Sequence, residues 1–88
     1  MTDCLVGSVV TAIMGHDAGA RFLVIKEDDA YVYLCDGRKR TIANPKKKKK
    51  KHVEVCGAVA SQELVAKLTG AAKVYDHEVI HALKIANN

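Results

Sequence analysis

The chain has 88 residues, 49% of them apolar and 27% charged, which is one domain's worth of sequence and too apolar for a disordered basic tail. Its formal net charge of +4 conceals an asymmetry: nine of the 14 Lys and Arg lie between positions 38 and 51, so the segment 36–54 carries +7 and the remainder −3. No apolar run approaches the ~20 residues of a membrane helix, and Met1–Cys4 lacks the regions of a signal peptide, so a cytoplasmic protein without a membrane partner is expected.

With one Phe and no Trp, the core falls to Val, Ile, Leu and Ala. Leu5–Met14, rich in β-branched residues with Gly7 as a bend, predicts a first strand. Gly15-His16-Asp17-Ala18-Gly19 is a dense turn signal. Arg21–Lys26 predicts a second strand, closed by Glu27-Asp28-Asp29. In the third, Ala30–Cys35, Tyr31, Tyr33 and Cys35 alternate with Val32 and Leu34, and Asp36-Gly37 favours a short hairpin turn. Arg38–Ala43 reads as a fourth, edge strand with weak apolar content, the lysine run as a loop, and His52–Cys56 as a fifth strand. About five short strands joined by tight turns indicate a mainly β domain, a small antiparallel barrel.

At Gly57 the period changes. Ser61 is placed to cap a helix with Glu63 in its first turn, a stripe of Leu64, Val65 and Leu68, and Gly70 as its stop. Asp76 is placed to cap a second helix whose buried stripe is Val79, Ile80, Leu83 and Ala86, with Tyr75 and Ile80 spaced for a hydrophobic staple. Both are too short to stand alone and are expected to pack on the barrel. The expected organisation is a barrel over 1–57 and a helical extension over 58–88.

Cys4, Cys35 and Cys56 are an odd, widely spaced set without metal-ligand spacing, read as small buried hydrophobes in a reducing compartment. His77-Glu78-Val79-Ile80-His81 matches His-Glu-x-x-His, in which two His one turn apart hold zinc and the Glu activates water. That site needs a third ligand and a cleft. Only seven residues follow His81, none of them acidic or His, and the helix phase turns Val79, Ile80 and Leu83 inward, leaving the histidines on a flank. No phosphate loop or nucleophile elbow is present. The expectation is no enzyme, no cofactor, no metal and no small-molecule substrate.

Lys46, Lys47, Lys48, Lys49, Lys50 and Lys51 cannot share a core, because buried ammoniums lose hydration, and side by side they repel. A polyanion relieves both problems. Lysine ammoniums are mobile point charges suited to phosphate rather than to base edges. Neutralising about six phosphates makes affinity fall roughly 10³-fold between 50 and 200 mM salt. Few aromatics argue against base stacking as the main mode, so a structured RNA read through shape and phosphate is the expected target.

Gly7-Ser8-Val9-Val10, then Gly15-His16-Asp17-Ala18-Gly19 and Phe22-Leu23-Val24-Ile25, resembles a KOW motif. With Tyr31–Leu34, Asp36-Gly37 and Asn44-Pro45-Lys46, residues 5–56 are similar to the small KOW-domain RNA-binding proteins of bacteria and to archaeal and eukaryotic large-subunit ribosomal proteins of the fourteen-e group. The helical tail is similar in pattern only, and Ser8 stands where the family often has a basic residue. The resemblance implies an SH3-like barrel and RNA binding, with ribosomal RNA or a ribosome as partner. It makes Gly7 the motif glycine, with Gly15, Asp17 and Gly19 shaping a loop that faces RNA. Arg38, Lys39 and Arg40 extend the lysine patch, and His16 and Arg21 border the turn. The free protein is expected to be a monomer. The rival reading is a protein–protein module using the barrel or the apolar face of the helical tail.

Overall fold

The computed structural model describes residues 5–70 and 72–86. The chain is mainly β: strands β1 (Ser8–Ala12), β2 (Arg21–Glu27), β3 (Tyr31–Cys35), β4 (Lys46–Lys49) and β5 (Val53–Val59) form one antiparallel sheet, followed by helices α1 (Gln62–Thr69) and α2 (Asp76–Ala86). The sheet order is β4-β3-β2-β1-β5. Its two outermost strands are consecutive in sequence, joined only by the 3₁₀ turn Lys50–His52. So short a link forces the sheet to curl until its edges meet at that end, which is a barrel-like arrangement.

Alternation on the central strands divides the core in two. Val10, Ala12, Phe22, Val24, Val32 and Leu34 form the interior cluster. Val9, Leu23 and Cys35 point to the outer face, where Leu64 of α1 and Val79 of α2 cover them. Glycines let the helices come close. A Cβ on Gly7 would lie 2.5 Å from Val65 Cγ2, and its φ of +89° disfavours any other residue. A Cβ on Gly37 would lie 2.6 Å from both Ile80 Cγ1 and the Asp76 carbonyl oxygen.

Ser61 caps α1 as expected, its hydroxyl accepting from Leu64 N–H. At α2 the capping differs. Tyr75 N–H donates to Glu78 Oε2 at 2.9 Å and Glu78 N–H to the Tyr75 carbonyl at 3.0 Å, a reciprocal box. Asp76 Oδ1 instead accepts from Ile42 N–H at 2.7 Å, tying the β3–β4 connection to the helix. The Tyr75 ring stacks on His77, while Ile80 rests against Gly37.

Five sequence expectations are corrected. Arg38–Ala43 is not a strand, and the connection after Asp36 is not a short hairpin turn. Asp36 Oδ1 accepts from Arg38 N–H (2.8 Å) and Arg40 N–H (2.9 Å), folding those residues into a turn. The fourth strand is Lys46–Lys49 itself, so the run is not a loop. The fifth strand, expected to end at Cys56, continues through Gly57 to Val59. Its register slips between Ser8↔Val59 and Val10↔Val55, and Gly57, with φ of +85°, lies in that bulge. Of the cysteines expected to be buried, Cys35 is buried and Cys56 is exposed, whereas Cys4 lies outside the described residues. No helix among the described residues is long and apolar enough to cross a membrane.

Candidate nucleic-acid interface

β4 pairs with β3 in the register Leu34↔Lys46, Tyr33↔Lys47, Val32↔Lys48 and Tyr31↔Lys49. Facing residues of paired strands share a side of the sheet. Lys46 and Lys48 therefore share the side of the interior residues Leu34 and Val32, and Lys47 and Lys49 share the side of the tyrosines. The four chemically identical lysines of the strand thereby divide into an inward and an outward pair.

The inward set is consumed by the fold. Lys48 is only 9% exposed; its ammonium donates to the Met14 carbonyl at 2.7 Å. Lys46 Nζ stands 2.8 Å from Asp17 Oδ2. In the 3₁₀ turn, Lys50 Nζ is 3.2 Å from Glu27 Oε2. The Asp17 carboxyl is held below the usual carboxylate range, chiefly by hydrogen bonding from Lys46; the charges of Lys46, Arg40 and Lys48 add to this and desolvation opposes it. The Gly15–Gly19 turn thus acts as a clamp on β4: its carboxylate takes Lys46 and the carbonyl just before it takes Lys48.

The outward set is available. Lys47 Nζ lies over the Tyr31 ring, 4.4 Å from its centroid, and 6.0 Å from that of Tyr33. Lys26, opposite Tyr33 on β2, lies over the same ring at 5.5 Å. Lys49 and Lys51 are exposed, with no internal partner among the described residues. Arg38 and Lys39 are exposed in the turn that leads into β4. Lys47 and Lys49 thus lie on β4, Lys51 in the turn after it and Arg38 and Lys39 in the turn before it; His16 is exposed in the Gly15–Gly19 turn, and the half-buried Arg40 is close enough for its charge to act on Asp17. Arg21, at the start of β2, pairs across to Thr11. Gly7 lies elsewhere, beneath α1.

Sequence reasoning did not place Tyr31, Tyr33 and Lys26 beside Lys47. The signal was present in the Tyr31/Tyr33 alternation, which fixes which lysines share the tyrosine side once β4 is known to be a strand.

The His-Glu-x-x-His residues stand apart. His77 and His81 are exposed, and Glu78 is engaged by Tyr75 N–H and by Lys67 at 2.7 Å. That contact lowers the Glu78 pKa and raises that of Lys67. Among the described residues no three His, Cys, Asp or Glu side chains cluster as metal ligands. Compared with protein-family models and with curated proteins, the chain finds no match.

Proposed function

We propose that this chain is a non-enzymatic RNA-binding protein of the cytoplasm, of the KOW type its sequence resembles, and that it holds structured RNA, ribosomal RNA foremost, through phosphate contacts. The observation that carries the reading is the outward set. Lys47, Lys49 and Lys51, together with Arg38 and Lys39, present five cations on β4 and the turns that flank it, none within ion-pair distance of a carboxylate among the described residues. Uncompensated cations in a row raise the local potential and attract a polyanion, and a fixed scaffold reduces the ordering cost of binding it. The lysine patch is accordingly narrower than the whole run, since Lys46, Lys48 and Lys50 are already engaged.

Binding of a structured RNA fragment, titrated across salt concentrations, tests this. The expected result is a Kd that weakens steeply with salt, with log K against log[salt] falling by about 3–5 for five contacts. A salt-independent Kd, or no binding at low salt, contradicts it.

A protein-docking role is favoured by a separate observation. A groove of about 760 Å³ runs between the end of β5, α1 and α2, and at its rim Val59 and Ile85 are 66% and 58% exposed. A protein partner seated there would survive nuclease and high salt.

A further inference from the structure

At the end of the basic edge the surface is hollowed. A depression of about 440 Å³ is bounded by Met14, Gly15, Tyr31, Lys47, Lys48, Lys49 and His52. The depression is shallow and open, and its lining is unlike that of a plain phosphate track. Tyr31 and His52 contribute rings, Met14 is 53% exposed, and Lys47 and Lys49 stand at the tyrosine side of the same strand. A duplex keeps its base faces stacked inside and offers phosphates, 2′-hydroxyls and base edges to such a surface, but no face on which a ring can stack. An unpaired nucleotide offers a flat base together with a phosphate one bond system away, which matches an aromatic floor flanked by ammoniums.

We propose that this hollow is a subsite for one unstacked nucleotide of a single-stranded RNA segment, with the base lying on Tyr31 between Met14 and His52 and the adjoining phosphates held by Lys47 and Lys49. The proposal rests on the RNA-binding reading and deepens it, assigning to the protein a junction or loop of a folded RNA rather than a continuous duplex. Lys47 now covers the Tyr31 ring. At a surface such a cation–π contact is weaker than a base–aromatic stack, so an incoming base displaces the ammonium, which then swings to the phosphate. Asp28 fixes the start of β3, its Oδ1 accepting from Tyr31 N–H at 2.8 Å and Ala30 N–H at 3.2 Å. The ring is therefore carried on a pinned backbone, and little order has to be imposed on binding.

The test uses the full chain, a short oligouridylate, a blunt RNA duplex and poly-glutamate as probes. Tyr31→Leu keeps an apolar side chain without a π face, and Tyr31→Phe keeps the ring. Tyr31→Leu is expected to weaken the oligouridylate about 5- to 100-fold, to leave duplex and poly-glutamate binding within about 2-fold, and to leave the salt slope unchanged, while Tyr31→Phe binds as the wild type. Equal losses for all three probes, or no loss for oligouridylate, overturn the stacking subsite while the phosphate-binding reading stands. Failure of the wild type to bind either RNA at low salt overturns both.

Discussion

Lys48 shows how the same side chain can be taken up by the fold or left exposed according to the direction it points. It shares an inward-facing pair with Val32, and only its ammonium escapes, to the Met14 carbonyl at 2.7 Å. Burying a carboxylate there would set an anion against a carbonyl oxygen with no donor, so Lys48→Glu should lower the unfolding free energy by about 2–4 kcal/mol. Lys48→Met keeps the apolar stem and should stay within about 1 kcal/mol of the wild type. Urea denaturation followed by circular dichroism distinguishes the two. The thiols divide in the same way. Burial pushes the Cys35 thiol up to about 11, so it should resist alkylation in the native state at neutral pH, while exposed Cys56 is modified first, as peptide mass spectrometry can read. Neither division was legible from local sequence. A homopolymer has no period of its own, and Cys56 sits in an apolar alternation that turns out to lie on an edge strand.

At the scale of elements, helix docking and the β4 clamp invite separate tests. Gly7 combines a positive φ with a contact that admits no Cβ. Gly7→Ala should therefore cost about 1–3 kcal/mol, seen as a lower urea midpoint at unchanged m. The Asp17–Lys46 pair makes a claim about pH. A carboxyl whose folded pKa is depressed contributes stability that is fully present above the ordinary carboxylate pKa and is lost as pH falls through the depressed value. Asp28 and Glu78 are also lowered and act in the same direction. Stability should thus decline on acidification below about pH 4, and the decline should be shallower in Asp17→Asn. The apolar strands and both helices were readable because alternation, Ser61 and Gly70 each carry a local signal. The fourth strand was not. Its pairing is held from outside by the Asp17–Lys46 contact, the Lys48–Met14 bond and Lys50 N–H donating to the Ala30 carbonyl at 2.9 Å. The same lysines keep an edge strand from pairing with another chain.

For the whole molecule, the charge separation visible in the sequence becomes a surface: a cationic edge at β4, with helices covering the outer face over β1 and β2 on a mildly acidic body. The existence of a concentrated cationic patch was legible from composition; which of its lysines face outward depended on a register that only the folded sheet supplies. The central claim is that this parity decides function, and one comparison of salt dependence tests it. Two triple variants carry the same change in charge: Lys47, Lys49 and Lys51 to Gln in one, and Lys46, Lys48 and Lys50 to Gln in the other. With a structured RNA fragment, the first should reduce the slope of log K against log[salt] by about 2–3 and leave the unfolding free energy within about 0.5 kcal/mol of the wild type. The second should reduce the slope by less than about 1 while lowering stability. Equal slope losses in the two variants would contradict the account.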